Sequence, residues 1–454
     1  MFTEAYKVNH FNFLWSAKNF ILAWLLDVDI LGMAYKKIIL KNGLRLITVP
    51  LPNTKTATVL VLVGTGSKYE TKEINGVSHF LEHLFFKGTK KRPNTLEIAE
   101  TLDRVGGEYN AFTSKETTGF WAKVDSKHLD IALDWISDIF LNSKLEEKEI
   151  NREKGVIIEE INMYLDTPTA YIGELWEKLL YGEQPAGWRV IGEKENILKI
   201  NREKILNYFK NHYSSLNTVI CVAGNIDPKK IEEKIEKYFN NINQNSPKQK
   251  INVKEVQEKP ESLIYYKKTD QTHLRLGVRG YNLFHPKKYA QTLLATILGG
   301  NMSSRLFISV RERAGLAYYI VTGAESTTDT GYLVTQAGVD HKNVEKAIGL
   351  ILKEYKSLRD KFITTKELQK TKDYLRGTMS LGLEVSDAQA NFYGIQELVE
   401  QKILTPQQKM TQIDQISIND IKKVAEDIFQ PEKLNLAIIG PFKEKEKFEK
   451  ILKI

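Results

Sequence analysis

The sequence has little of several features that define large classes of protein. It contains one cysteine in 454 residues, so no disulfide can form within the chain and a disulfide-stabilised scaffold is excluded. It has no run of five or more basic residues, and its aromatic and basic residues do not interleave as in RNA-binding proteins. The formal charge of +8 is therefore interpreted as a solvated, lysine-rich surface, and we expect no nucleic-acid partner. Neither a G-x-S-x-G serine motif nor a phosphate-binding loop is present, so serine-nucleophile and nucleotide chemistry are unsupported.

Long apolar segments are also missing. The apolar run Phe20–Leu26 is followed at once by Asp27 and Asp29, and a membrane-spanning helix needs about 20 apolar residues. No clear signal-peptide cleavage site follows this run. We interpret residues 1–33 as a leader or an over-extended start, with a membrane-associating helix as the alternative. We expect a cytoplasmic protein without an integral membrane span, and a membrane-associated or exported one only if residues 1–33 act as a leader.

What the sequence does have is the composition of a folded protein and a long internal repeat. Hydrophobic residues make up 42% and charged residues 27% of the chain, and strand-like runs alternate with helical periodicities. Gly119-Phe120 resembles Gly331-Tyr332 at an offset of 212 residues, and strands that end at Gly224 and Gly440 repeat at an offset of 216. Because solenoid units repeat every 20–50 residues or so, this longer period indicates a duplicated domain.

A polar segment separates the two halves of the repeat. Residues 243–262 contain Pro247 and Pro260 and lack sustained periodicity, which is typical of a linker. We therefore predict four parts along the chain: a leader or over-extended start at 1–33, a first domain at 34–242, the linker at 243–262, and a homologous second domain at 263–454.

His79-Phe80-Leu81-Glu82-His83 is the most specific motif in the chain. Histidines at positions i and i+4 lie on one helix face, so both imidazoles can reach one zinc ion at about 2.0–2.1 Å. Glu82 projects beside them, where its carboxylate can hold a metal-bound water. This H-x-x-E-H order is the inverse of the more common H-E-x-x-H motif, and it indicates a hydrolytic zinc site.

The residues alone leave the third metal ligand open. Zinc sites that catalyse hydrolysis often combine two histidines with one carboxylate. The acidic segment Glu149–Asn162 carries three candidates, Glu153, Glu159 and Glu160. Taken alone, such a segment is typical of a charged, solvated helix face, and spacing does not choose between the adjacent Glu159 and Glu160.

The segments VSHFLEHLFFKGTKKR and EINREKGVIIEEINMY resemble the pitrilysin, insulin-degrading enzyme and mitochondrial processing peptidase family. In that family the third ligand follows another characteristic glutamate by seven residues, a spacing that Glu153 and Glu160 match. The resemblance implies Zn2+ as the cofactor, with three ligands: His79, His83 and Glu160. It also implies that Glu82 is the general base and that Glu153 orients the site. Glu159 remains the alternative ligand, shifted by one residue.

Two further segments carry the same resemblance. GEYNAFT is similar to the family's edge strand, to which the substrate adds as an extra strand. This similarity implies four substrate-binding residues: Asn110, Ala111, Phe112 and Thr113. In the second half, MSSRLFISVRERAGLAYYI is similar to the family's Arg/Tyr segment, which implies that Arg311 and Tyr318 contact the substrate and the developing oxyanion. The second half lacks a metal set, since Thr378 stands opposite Glu160.

The resemblance covers about residues 34–454 and implies an α+β fold. We expect two homologous domains, each a mainly antiparallel sheet packed with helices, which together form half of a clamshell chamber. The implied activity is that of a zinc metalloendopeptidase acting on unfolded or short polypeptides. Because one chain supplies half a chamber, we expect a homodimer, or a heterodimer with a family member, in which Arg311 and Tyr318 face the zinc of the other subunit. The alternative is a non-catalytic structural or substrate-binding subunit that partners another chain.

Overall fold

A computed structural model describes residues 34–454, so the predictions made for residues 1–33 lie outside the described part of the chain. Two β-sheets with helices packed on them make up the fold, which confirms the predicted α+β class. Within residues 34–454, no helix is both long and apolar enough to cross a membrane.

The first sheet is formed by strands from the first half of the chain. Their bounds are β1 (Lys36–Ile39), β2 (Arg45–Pro50), β3 (Thr56–Val63), β4 (Glu108–Thr113), β5 (Thr118–Asp125) and β6 (Thr218–Gly224). Their spatial order is β1-β2-β6-β3-β5-β4, which leaves β4 at one edge. β2 and β6 run parallel, whereas β3 is antiparallel to both of its neighbours. β6 is buried along its whole length, as its continuous apolar sequence predicts for a strand covered on both faces.

The second sheet repeats this arrangement in the second half of the chain. Its strands are β7 (Glu261–Tyr266), β8 (Thr272–Arg279), β9 (Ala317–Ser326), β10 (Gly331–Val339) and β11 (Leu434–Gly440). Their order is β7-β11-β8-β10-β9, with β7 and β11 parallel and the other pairs antiparallel. Strand order and direction match the first sheet from β2 to β4, so the predicted long repeat is confirmed at the level of topology.

Helices pack on both sheets and connect their strands. In the first half they are α1 (Val77–Leu84), α2 (Thr95–Asp103), α3 (Leu129–Asn142), α4 (Glu147–Asp166), α5 (Pro168–Tyr181), α6 (Lys194–Lys199), α7 (Arg202–His212) and α8 (Pro228–Tyr238). In the second half they are α9 (Lys288–Gly299), α10 (Val344–Asp360), α11 (Thr365–Gly382), α12 (Ser386–Ile395), α13 (Pro406–Asp414), α14 (Ile418–Ile428) and α15 (Glu446–Glu449). A π-helical segment, Phe307–Arg313, precedes β9.

Each half of the chain sends one helix onto the sheet of the other half. Ile172 and Trp176 of α5 are buried in a cluster with side chains of β10 and β11. Reciprocally, Ala390 and Tyr393 of α12 are buried in a cluster with side chains of β2, β3 and β6. These contacts interlock the two halves, so the packed units exchange helices across the boundary that the chain order alone suggests.

The connection between the two sheets contains no regular element between residues 243 and 260. β7 begins at Glu261, two residues before the predicted start of the second domain. This segment also packs on other parts of the chain, because the backbone N–H of Lys254 donates to the Gln184 side chain at 2.7 Å. The linker is therefore held against the body of the protein along part of its length.

Candidate metal centre and active site

The helix that carries the H-x-x-E-H motif begins at a residue that must be glycine. Gly76 precedes α1 with a φ of +98°, and a Cβ there would lie 2.7 Å from the carbonyl oxygen of Ile191. The free N–H groups of the first helical turn are met by the buried Glu70, whose carboxylate accepts from the backbone of Gly76 and Ser78, both at 2.8 Å. A buried carboxylate at this position accepts hydrogen bonds from N–H groups that have no partner within the helix, and it interacts favourably with the helix dipole. Glu70 therefore fixes where α1 starts.

The apolar face of α1 packs against the hydrophobic core beside the first sheet, and the other face of the helix carries the motif. Val77, Phe80, Leu81 and Leu84 are buried. The side chains of His79, Glu82 and His83 are half-buried on the remaining face. This division follows from the helical period, because apolar residues at i, i+3, i+4 and i+7 share one side.

Three side chains converge as a metal-binding group. His79, His83 and Glu160 each offer one ligand atom, and these atoms lie within 4.8 Å of one another. Oε2 of Glu160 is 3.6 Å from Nε2 of His79 and 3.4 Å from Nε2 of His83. Two atoms bound to one zinc ion at about 2.0–2.1 Å and at the tetrahedral angle lie about 3.3–3.4 Å apart. The group therefore fits one zinc ion with little movement.

Electrostatics also favour a cation in this group. Burial by itself raises the pKa of Glu160, but hydrogen bonds with His79 and His83 outweigh it and lower that pKa to about 2. Burial lowers the pKa of His83, but hydrogen bonds with Glu153 and Glu160 outweigh it and raise that pKa to about 9. Glu153 and Glu160 thus favour positive charge at the His83 imidazole, which a divalent metal ion can supply in place of a proton.

Glu153 stands behind His83 and fixes its ring. Oε1 of Glu153 is 2.9 Å from Nδ1 of His83, which leaves Nε2 of the same ring facing Glu160. Lys87 Nζ lies 2.8 Å from the other carboxylate oxygen of Glu153, and the Glu153 side chain is only 2% exposed. A ligand imidazole held from behind by a carboxylate is the usual arrangement in zinc sites. Glu159, the alternative ligand, is exposed on α4, and the structure places Glu160 beside the histidines instead.

The predicted substrate strand is β4, which runs past α1 at the edge of the first sheet. Tyr109 and Ala111 pack against the same hydrophobic core as α1. Thr113 shares their face of the strand, because alternate residues of a strand point to the same side. Asn110 and Phe112 point to the opposite face, where Phe112 packs against the cluster that contains α12. The hydroxyl of Thr113 donates to Oε2 of Glu82 at 2.5 Å. β4 therefore contacts the motif through a side chain, and within residues 34–454 its other backbone edge is unpaired.

The predicted Arg/Tyr pair lies in the second half of the chain, and its two side chains are close to each other. The guanidinium carbon of Arg311 is 5.8 Å from the ring centre of Tyr318 and 4.8 Å from that of Phe307. Tyr318 lies on the edge strand β9 with 76% of its surface exposed. Within residues 34–454, neither side chain forms a hydrogen bond or ion pair with the group of His79, His83 and Glu160. Tyr318 is thus exposed, whereas Arg311 is partly buried.

Sequence reasoning missed three contributors to this site. Glu70 gives no local signal, because its role depends on a turn that brings it back to the start of α1. Lys87 follows His83 by four residues but lies beyond the end of α1, so helical spacing alone does not place it beside Glu153. Tyr208 of α7 anchors α1 through a hydroxyl contact with Ser78 at 2.7 Å, a contact that spans 130 residues of sequence.

Comparison with known proteins agrees with this fold. A family model described as insulinase (peptidase family M16) matches residues 45–193, and one described as the peptidase M16 inactive domain matches residues 199–375. "Uncharacterized zinc protease YmxG" of Bacillus subtilis is 36% identical over 89% of this chain and 98% of its own length. "Uncharacterized zinc protease SCO5738" of Streptomyces coelicolor is 32% identical over 90% of each chain.

Solved structures show the same architecture. The crystal structure of a protease from Helicobacter pylori aligns with a TM-score of 0.82 at 24% identity, over 90% of this chain and 99% of its own. A peptidase M16 inactive domain from Pseudomonas fluorescens aligns with a TM-score of 0.83 at 17% identity, over 90% of this chain and 99% of its own. The chain belongs to peptidase family M16, which confirms the resemblance predicted from its motifs.

Proposed function

We propose that this protein is a zinc-dependent metalloendopeptidase that hydrolyses peptide bonds in unfolded or short polypeptides. The observation that carries the proposal is the placement of Glu82 beside the convergent group of His79, His83 and Glu160, next to a free strand edge. The names of the bacterial relatives as zinc proteases support it. The three ligands would hold Zn2+ and leave one coordination position open, as in other hydrolytic zinc sites.

Each residue of the site has a definable task in peptide hydrolysis. When bound, zinc supplies Lewis-acid chemistry, lowering the pKa of a coordinated water and polarising the scissile carbonyl. The carboxylate of Glu82 accepts the proton of the attacking water and then delivers it to the leaving amine nitrogen. Glu153 keeps the His83 ring in the tautomer and orientation that present Nε2 to the metal. Tyr318 and Arg311 donate to the developing oxyanion when they reach the site from the second half of a subunit.

The free edge of β4 defines the class of substrate. A peptide that adds beside β4 gains backbone hydrogen bonds along the strand, and alternate side chains contact the surfaces on either side. An unfolded segment offers such a backbone along its whole length, whereas most strand backbone of a folded protein is already paired. The site is therefore expected to cut extended segments of unfolded or short polypeptides.

The decisive experiment compares matched glutamate variants of the full chain. Glu82→Gln should retain stoichiometric zinc and lose about 10²–10⁴-fold in kcat on a quenched peptide library, because it removes general acid–base catalysis. Glu160→Gln should lose zinc, whereas the same change at the adjacent, exposed Glu159 should affect neither zinc content nor hydrolysis. A wild-type chain that binds stoichiometric zinc but does no better than Glu82→Gln on every peptide contradicts the proposal.

The alternative function is a non-catalytic or substrate-binding subunit of the same family. The description of residues 199–375 as matching an inactive domain favours it for the second half of the chain. The metal-binding group lies in the first half, where the matching family model carries no such description. Zinc content separates the two functions, since a structural subunit should bind no zinc and show no chelator-sensitive hydrolysis.

We also propose that the active form is a dimer, with a second copy or with another family member. The proposal is supported by the absence, among residues 34–454, of any hydrogen bond or ion pair between the Arg311–Tyr318 pair and the metal-binding group, and by the exposure of Tyr318. Mixing inactive Glu82→Gln and Arg311→Ala chains should restore activity if the pair acts across subunits. Mixed dimers that form but stay inactive contradict that arrangement.

A further inference from the structure

The carboxylate of the proposed general base is held by one hydroxyl. Thr113 Oγ1 donates to Oε2 of Glu82 at 2.5 Å, and the contact is partly buried. Among residues 34–454, no other side chain or backbone group forms a hydrogen bond with the Glu82 carboxylate. A glutamate side chain has three rotatable bonds, so a single charge-assisted hydrogen bond decides much of its orientation.

The donor itself sits at a rigid point of the fold. Thr113 is the last residue of β4 and pairs with Thr118 of β5. Directly after it, the backbone N–H of Ser114 donates to the carbonyl of Thr117 at 2.8 Å, which closes the turn between the two strands. The branched side chain of threonine has few rotamers, so a fixed backbone also fixes the hydroxyl.

We propose that Thr113 is the positioning residue for Glu82. Its hydroxyl holds Oε2 and leaves the other oxygen, Oε1, without a hydrogen-bond partner among residues 34–454, so that Oε1 can accept the proton of the attacking water. The inference rests on the proposed peptidase function and adds a connection to it. Because Thr113 lies on the strand beside which the substrate is proposed to add, the same element that takes up the peptide also orients the base.

This role is distinct from the backbone contact that the edge strand makes with a substrate. A backbone contact is kept by any side chain that preserves the strand, whereas the positioning role needs a hydroxyl at this position. Thr113→Val has nearly the same shape and branching but no donor. Thr113→Ser keeps the donor and removes a methyl group, so it is the matched control.

The test measures kcat, KM and zinc content for the full-length variants on a quenched peptide. Thr113→Val should lower kcat about 10- to 100-fold with KM and bound zinc unchanged, because the Glu82 carboxylate is no longer held in its productive orientation. Thr113→Ser should stay within about threefold of the wild type. In a Glu82→Gln background, Thr113→Val should cause no further loss, since there is no longer a carboxylate to orient.

Two results overturn the proposal. One is a Thr113→Val variant with wild-type kcat, and the other is a raised KM with unchanged kcat, which would assign Thr113 to substrate binding alone. If the wild type itself does not exceed Glu82→Gln, the proposed function fails, and crystal structures of the wild type and Thr113→Val then decide the positioning. A Glu82 carboxylate that loses its fixed orientation in Thr113→Val supports the role, and an unchanged orientation refutes it.

Discussion

Replacing Asp329 by asparagine should weaken the connection between the two halves of the molecule. Lys68, which is 1% exposed, pairs with Glu116 at 2.8 Å and with Asp329. Lys250 from the linker also pairs with Asp329 and lies 3.6 Å from Glu116. These four side chains are here called the ionic clasp, and their charges sum to zero. They join four segments: the one after β3, the turn after β4, the linker and the turn after β9.

The size of the effect follows from the burial of the clasp. All four side chains are at most 11% exposed, so Asp329→Asn leaves a net positive charge in a site with little water. Removing one partner of a buried ion pair costs about 3–5 kcal/mol of unfolding free energy. Asparagine keeps an acceptor for the backbone N–H of Val253, which donates to Asp329 at 3.0 Å. The decrease in unfolding free energy therefore measures the loss of the negative charge and not the loss of a backbone hydrogen bond.

A second substitution tests this reasoning. Lys250→Met in the Asp329→Asn background returns the clasp to one positive and one negative charge, and it should recover about 2 kcal/mol of the loss. Urea denaturation followed by circular dichroism measures all three chains, with the exposed Asp373→Asn as a control that should not move the midpoint. An Asp329→Asn chain within about 1 kcal/mol of the wild type, or a double variant no more stable than the single one, refutes the argument.

The pH dependence of the clasp has a definite sign. Burial raises the pKa of Asp329, but hydrogen bonds from Lys250 and Lys68 outweigh it and lower that pKa to about 2. A carboxyl group with a lowered pKa stabilises the fold above its unfolded pKa, near 4, and loses this contribution as the pH falls toward 2. The stability difference between the wild type and Asp329→Asn should therefore shrink on acidification over that range. A difference that stays constant from pH 5 to pH 2.5 contradicts the assignment.

Two further substitutions test other buried groups. Burial and the charge of Lys248 lower the pKa of His212 to about 4, so protonation of the unfolded chain should remove about 2 kcal/mol of stability between pH 7 and pH 5. Urea denaturation at both pH values should show that His212→Gln loses about 2 kcal/mol less stability than the wild type over this range. Equal losses in the two chains would contradict the burial argument. Glu70→Gln should cost about 1–3 kcal/mol and weaken zinc binding, because an amide N–H then faces the donors at the start of α1. Thermal denaturation and zinc titration check this, with the exposed Glu73→Gln as the unchanged control.

The metal-binding motif could be predicted from the sequence because its geometry is local. The separation of His79 and His83 by four residues brings them together in any helix, whatever the rest of the fold does. Glu160 was harder, because spacing alone left Glu159 open. The phase of α4 contains the missing information: Glu153, Ile157 and Ile161 form its buried face, and Glu160 borders that face whereas Glu159 does not. A helical-wheel argument on α4 would have favoured Glu160 without reference to a family.

Features that depend on distant segments could not be predicted in this way. Lys68 reads as one of many surface lysines, and its burial requires partners 48 and 261 residues away. The exchange of α5 and α12 between the sheets could not be predicted either, since neither helix sequence indicates which sheet covers it. Periodicity states that a helix has an apolar face, and it does not state which sheet covers that face.

The repeat explains why the halves meet where they do. The turns after β4 and β9 occupy equivalent positions in the two sheets, and Glu116 in one accepts from Thr328 in the other at 2.7 and 2.9 Å. These residues are 212 residues apart, the same offset that the sequence repeat shows. Equivalent turns in mutual contact are what a two-fold arrangement of duplicated domains produces. The equivalence does not extend to the helices that precede these strands, because α1 carries two histidines where α9 has the buried Leu293 and Ile297. Within residues 34–454, each sheet thus presents an edge strand at this position, and the metal-binding group belongs to the half that contains β4.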